Sequence, residues 1–160
     1  MDCFFDSIQK KLLSTRDLVE KITLITQAIT QTLHVDRCTL FVYDPDTDSF
    51  WSAYIDGLGF IEIPRGKGLV SETFASKQAS IFNDVKKEKG HYQKIDEKTG
   101  YLTRSMLTVP VLNYQKEPLG VIQLLNKLDG NEFTQEDVQK LDEVIEYFID
   151  FVENSIVRKN

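Results

Sequence analysis

At 160 residues the chain is of single-domain size, long enough to bury roughly 70% of the surface its unfolded form exposes. Its 25 acidic residues against 19 basic ones leave a net charge of −6 and an isoelectric point near 5.0, which argues against nucleic acid or an anionic membrane as the main partner. Cys3 and Cys38 make neither a disulfide framework nor a CxxC pair, and no apolar run approaches the ~20 residues of a bilayer span, so the expected compartment is the reducing cytoplasm.

Phe4, Phe5, Ile8 and Leu12 predict a short first helix, and Ser14 to Asp17 reads as a cap that opens a second. Leu18, Ile22, Ile25, Ile29 and Leu33 carry that helix forward at steps of four, three, four and four. Residues 38–43 have the branched and aromatic content of a strand, Asp44-Pro45-Asp46-Thr47-Asp48 is a turn, and residues 50–55 return as its hairpin partner. Gly57 and Gly59 interrupt the chain before a third strand over 60–63, which Pro64 ends. Gly66-Lys67-Gly68 then introduces a helix over 69–76. A short apolar piece at 79–82 leads into a highly charged region, 83–104. Residues 106–112 and 119–125 form the strongest strand pair, joined around Asn113 to Glu117. Thr134 with Asp137 caps a long last helix on Val138, Leu141, Ile145, Phe148 and Val152.

This order predicts an α+β domain with a central antiparallel sheet, the terminal helices packed on one face and the connections left to the other. The last helix carries further apolar rows, Val144 with Phe151 and Ile149 with Ile156. A single sheet is too narrow to cover so wide a face, so a partner helix from a second copy is expected.

Chemical motifs are scarce. Asp44 to Asp48 resembles the opening of a calcium loop, but Ser49 stands where that loop needs glycine and Ile55 where it needs a bidentate glutamate. Gly66-Lys67-Gly68 lacks the spacing of a nucleotide phosphate loop, although it places free helix-start amides at Leu69 and Val70, where an anion can bind. His34 and His91 have no metal-ligand spacing, and no hydrolytic signature is present, so neither a metal nor catalysis is expected. Tyr92, Asp96, Thr99 and Thr103 recur at steps of four, three and four, interrupted by Gly100. One carboxylate, two hydroxyls and a phenol make a poor core face and good arms for a small polar ligand. A solvated surface face has the same pattern.

Three stretches carry a resemblance. Asp36 to Phe41 on the first strand, Asp96 to Arg104 before the 106–112 strand, and Gly120 to Lys127 running on to Phe133 and Asp137 resemble the cyclic-nucleotide-binding branch of GAF domains, found in mammalian phosphodiesterases and some bacterial adenylyl cyclases. That branch's signature is Asn-Lys, a spacer, Phe, three residues, then Asp-Glu; here Val138 replaces the glutamate. The similarity covers about residues 15–157, one GAF domain, with residues 1–13 as an N-terminal linker helix.

The resemblance implies a non-catalytic regulatory domain of signal transduction, with cAMP or cGMP as regulatory ligand and no required cofactor. Leu69 and Val70 would offer amides to the cyclic phosphate, and Tyr92, Asp96, Thr99 and Thr103 would hold the phosphate and ribose from a lid over 83–104. Thr39, Asp56 and Gln123 would address the purine edge, with Ile55 where many relatives stack an aromatic. Asn126, Lys127, Phe133 and Asp137 would support the pocket, the Lys127–Asp137 ion pair bracing it without touching ligand. The signal would pass through the terminal helices to an attached output domain or a second copy. Two alternatives accompany this reading: a GAF spacer that dimerises without ligand, and a GAF sensor of another small molecule. An enzyme such as a free methionine sulfoxide reductase needs a cluster of reactive cysteines that Cys3 and Cys38 cannot supply.

Overall fold

The structure is a computed structural model that describes residues 2–15, 17–53, 60–66, 68–83 and 103–157. Helices α1 (Asp2–Ser14) and α2 (Leu18–Leu33) precede strands β1 (Val35–Asp44), β2 (Ser49–Ala53) and β3 (Phe60–Pro64). Helix α3 (Leu69–Ser76) and strands β4 (Ser80–Phe82), β5 (Met106–Leu112) and β6 (Pro118–Lys127) follow, and α4 (Gln135–Val157) closes the chain. The strands form one antiparallel sheet in the order β3-β2-β1-β6-β5-β4, an α+β architecture.

Asp17, and not Ser14, opens α2. Its extended backbone (φ −78°, ψ 118°) lets Oδ1 accept from the Val19 amide at 3.1 Å, while Ser14 still belongs to α1 and donates to the Lys11 carbonyl. A carboxylate one residue before the helix satisfies an orphan amide and faces the positive end of the dipole, which a serine three residues earlier cannot do. Strand β1 starts three residues before the branched run at 38–43, because its ladder with β6 runs from Val35 opposite Lys127 to Val42 opposite Gly120.

Strand pairing sorts side chains into two faces. Leu40, Ile122 and Val109 form one cross-strand row and Cys38, Leu124 and Leu107 the next, both turned toward α1, α2 and α4. Helix α1 packs onto α4 beside its main apolar stripe. Phe5 of α1 packs edge-on against Phe148 at 5.6 Å and tilted against Tyr147 at 4.8 Å, and the Tyr147 hydroxyl donates to Asp6 at 3.0 Å. Ile8 and Leu12 are buried with them, and each such side chain contributes about 1.5–3 kcal/mol. Of the further rows, Val144 and Ile149 are buried within this chain, Phe151 is only half-buried, and the Ile156 side chain lies outside the described residues.

Gly120 fixes the spacing of the sheet's centre. It lies between Val42 and Val111, where a Cβ would run into the carbonyl oxygen of Phe41.

Candidate functional site on the open face of the sheet

On the face turned away from the long helices, the register places Thr39 opposite Gln123, Gln123 opposite Thr108, and Thr108 opposite Ser80. A polar row thus crosses β1, β6, β5 and β4. It is flanked by Phe41, Val121 and Pro110 on one side and by Arg37, Leu125, Met106 and Phe82 on the other. Paired positions on adjacent strands hold their side chains about 5 Å apart, so the Thr39 hydroxyl and the Gln123 carboxamide act on the same small volume. Together they offer both donors and acceptors, which suits the mixed edge of a heterocyclic base.

Helix α3 roofs this face. Val70 packs against the cluster of Phe41, Phe50, Phe74 and Val121, and Leu69 packs against Met106, as Phe82 and Leu125 do, so the first turn of α3 meets both flanking rows and stands over the polar one. One turn on, Thr73 Oγ1 meets Thr108 Oγ1 at 2.8 Å, both fully buried. Gly68 begins the helix at φ 105°, a conformation that excludes most side chains, and brings no capping group of its own. The first helical bond runs from the Glu72 amide to the Gly68 carbonyl at 3.0 Å, which leaves the Leu69 and Val70 amides without an intrahelical acceptor. An anion above the row would meet them.

Residues near the end of β6 form a brace. Asn126, held at φ 53°, accepts the Arg104 and Ser105 amides on Oδ1 at 2.7 and 3.1 Å, and its own amide donates to the Ser105 carbonyl. Lys127 Nζ reaches both carboxylate oxygens of Asp137 at 3.3 and 3.1 Å, with both side chains largely withdrawn from solvent. Asp137 also accepts the Thr134 amide at 2.9 Å and so caps α4. Phe133 is buried, and its backbone is bound by Asn83. Thr103 is buried just before β5. Of the remaining expected site residues, Ile55, Asp56, Tyr92, Asp96 and Thr99 lie outside the described residues.

Thr73, Thr108 and Asn83 escaped the sequence reading. Thr108 had a signal: it is the one hydroxyl in the otherwise apolar strand Met106–Leu112. Asn83 had none, because its partner is backbone.

Other openings fit the chemistry less well. A cavity of about 160 Å³ between α2 and β1 shares Thr39 with the polar row and is also lined by Thr23, Thr26 and Thr30, whose hydroxyls already donate to the Val19, Thr23 and Gln27 carbonyls. One of about 330 Å³ lies between the β5–β6 hairpin and α4, on Tyr114, Asp142 and Glu146, away from the polar row. Cys38 faces the helices, and burial pushes its thiol well above the usual range, so it holds no reactive thiolate. Among the described residues no cluster of His, Cys, Asp or Glu could hold a metal ion, and no helix is long and apolar enough to cross a membrane.

A family model described as GAF domain matches residues 17–148. The chain is 26% identical over 151 residues to the dual 3′,5′-cyclic-AMP and -GMP phosphodiesterase 11A of Takifugu rubripes, covering 86% of this chain and 17% of that protein. It is 30% identical over 158 residues to the cone cGMP-specific 3′,5′-cyclic phosphodiesterase subunit alpha′ of Gallus gallus, covering 89% of this chain and 18% of the relative. The chain thus spans less than a fifth of the length of these relatives. Among solved structures, the GAF domain of an Acinetobacter phosphoenolpyruvate-protein phosphotransferase superposes with a TM-score of 0.72 at 15% identity, covering 98% of this chain and 95% of that one. Free methionine-R-sulfoxide reductase from Neisseria meningitidis, in complex with its substrate, gives 0.67 at 19% identity over 94% and 87%. Both likenesses concern the fold.

Proposed function

Because this chain belongs to the GAF domain family, with phosphodiesterase GAF domains among its relatives, we propose that it is a regulatory sensor domain that binds a cyclic nucleotide on the open face of its sheet. The observation that carries the reading is the Thr39–Gln123 pair lying beneath the uncapped first turn of α3. A base edge needs donor and acceptor together and a cyclic phosphate needs amides, and this face carries both kinds of group. Asp56, Tyr92, Asp96, Thr99 and Thr103 complete the contacts in this reading, on the strength of the resemblance, and Ile55 lies against the purine. Gln123 serves cAMP and cGMP alike, since its carboxamide can turn to present either group.

The domain performs no chemistry of its own in this reading. Cys38, turned to the opposite face with its thiol held protonated, supports that against a sulfoxide reductase. Binding biases the terminal helices, which pass the signal to an output domain or to a second copy. Ligand shifts that equilibrium only by its preference for one state. The site of action is the cytoplasm, where Cys38 stays a free thiol.

Thermal unfolding with cAMP, with cGMP and with a cyclic dinucleotide tests the reading. A ligand at 100 times its dissociation constant stabilises the fold by about 2.7 kcal/mol, several degrees for a domain of this size. A shift with a cyclic mononucleotide supports it. No shift with any of the three favours a domain that dimerises without ligand, and light scattering then shows whether two copies associate.

A further inference from the structure

Asn83 follows β4, immediately before residues 84–102, and its carboxamide binds the backbone of Phe133, fifty residues on, from both ends. Nδ2 donates to the Phe133 carbonyl at 3.1 Å and Oδ1 accepts the Phe133 amide at 2.8 Å. This is the pattern of a paired strand residue made by one side chain, and only asparagine supplies donor and acceptor at that reach. On the other side of residues 84–102, Arg104 and Ser105 are held by Asn126 Oδ1. Asn126, next to last in β6, and Phe133, two residues before α4, bracket the short connection between those elements. Within it, the Gly130 amide bonds the Lys127 carbonyl, and Lys127 bonds Asp137 in the first turn of α4.

We propose, on the reading that the sheet face takes a cyclic nucleotide, that Asn83 is a positioning residue which, with Asn126, clasps two roots, the end of β4 and the start of β5, to the 126–133 connection and thereby couples occupancy of the face those strands carry to the first turn of α4. The two asparagines pull on one piece of backbone eight residues long. A displacement at either root is therefore felt at Phe133 and at Asn126, and from there through Lys127 and Asp137 at the helix start. Neither asparagine touches the polar row, so the role is distinct from binding.

Hydrogen exchange on the 160-residue chain and on its Asn83→Ala variant tests this, with Asn83→Asp, which keeps the acceptor and loses the donor, as the milder change. Without ligand, a clasp acting as one unit requires Asn83→Ala to speed exchange at the Arg104 and Ser105 amides together with Phe133, by about tenfold for a lost hydrogen-bond pair. Faster exchange at Phe133 alone overturns the proposal. With cAMP and cGMP added, calorimetry reports binding and exchange reports α4. The expected result is that bound nucleotide slows exchange over residues 138–141 in the natural sequence, and that Asn83→Ala still binds but loses that slowing, with Asn83→Asp between them. Equal slowing in both proteins, or binding without any slowing in the natural sequence, overturns the coupling and leaves the nucleotide reading intact. If neither nucleotide binds, that reading fails and the unliganded exchange alone decides whether the clasp is a unit.

Discussion

Thr73 and Thr108, from a helix and a strand 35 residues apart, share a 2.8 Å hydrogen bond where neither side chain reaches solvent. This bond pins α3 onto the sheet one turn beyond the amides at Leu69 and Val70. Thr108→Val, nearly isosteric, leaves the Thr73 hydroxyl buried without its partner and is expected to cost about 1–2 kcal/mol. Thr73→Val should cost a similar amount, and the double variant less than the sum, with a coupling near 1 kcal/mol in urea unfolding. Additive losses would mean that the two hydroxyls do not act on each other.

Gly120→Ala tests the close approach of the central strands. The added Cβ meets the Phe41 carbonyl, which is backbone and cannot turn aside, so β1 must move from β6. We expect a loss of about 2–3 kcal/mol, in the range of overpacked core sites. Unfolding within 0.5 kcal/mol of the natural sequence would show that this part of the sheet yields easily.

Cys38 should resist modification. Cys38 is half-buried and desolvation raises its thiol, so in a Cys3→Ser background alkylation at pH 8 is expected to be slower than that of a free thiol, and to accelerate on unfolding in urea. Labelling at the rate of the unfolded chain would contradict the placement of this side chain among the helices.

Two aspartates should act in opposite senses on acid stability. The Arg65 guanidinium, hydrogen-bonded at 2.7 Å, and the Tyr43 hydroxyl hold the Asp48 carboxyl below its usual value. Its contribution is therefore present above about pH 4 and fades as pH falls through the folded-state value; Asp48→Asn should flatten that part of the profile. Asp142 is raised, first by burial and with Lys116 opposing, so it favours the fold when protonated and loses that contribution as pH rises through its folded-state value. Asp142→Asn should then stabilise at pH 7 by a few tenths of a kcal/mol, since the group is more than half exposed. Urea midpoints between pH 3 and 7 check both signs.

The fold was legible because its signals are local and periodic. The stripe from Leu18 to Leu33, the apolar strands around Asn113 to Glu117 and the Thr134–Asp137 cap each name an element without reference to the rest. The capping segment Ser14 to Asp17 was legible, but that Asp17 is the residue which caps α2 follows only from its backbone geometry. The packing of Phe5, Ile8 and Leu12 with α4 was not legible, because α1 and α4 lie more than a hundred residues apart in sequence. In the candidate site, the meeting of Thr39 with Gln123 depends on strand register, which periodicity does not give; it came from the resemblance. Asn83 binds backbone, and side-chain identity at its partner position leaves no trace in the sequence.

The most direct test of a cyclic-nucleotide site on this sheet face is calorimetric titration of the natural sequence and of Gln123→Ala with cAMP and cGMP. Gln123 is half-buried on the open face, so its truncation should leave unfolding within about 1 kcal/mol of the natural sequence, and circular dichroism can verify the fold. The account predicts that at least one nucleotide binds the natural sequence and that Gln123→Ala weakens it about 5- to 30-fold, the cost of one or two hydrogen bonds to a base. Equal affinity in both proteins, or no binding of either nucleotide to the natural sequence, would contradict it.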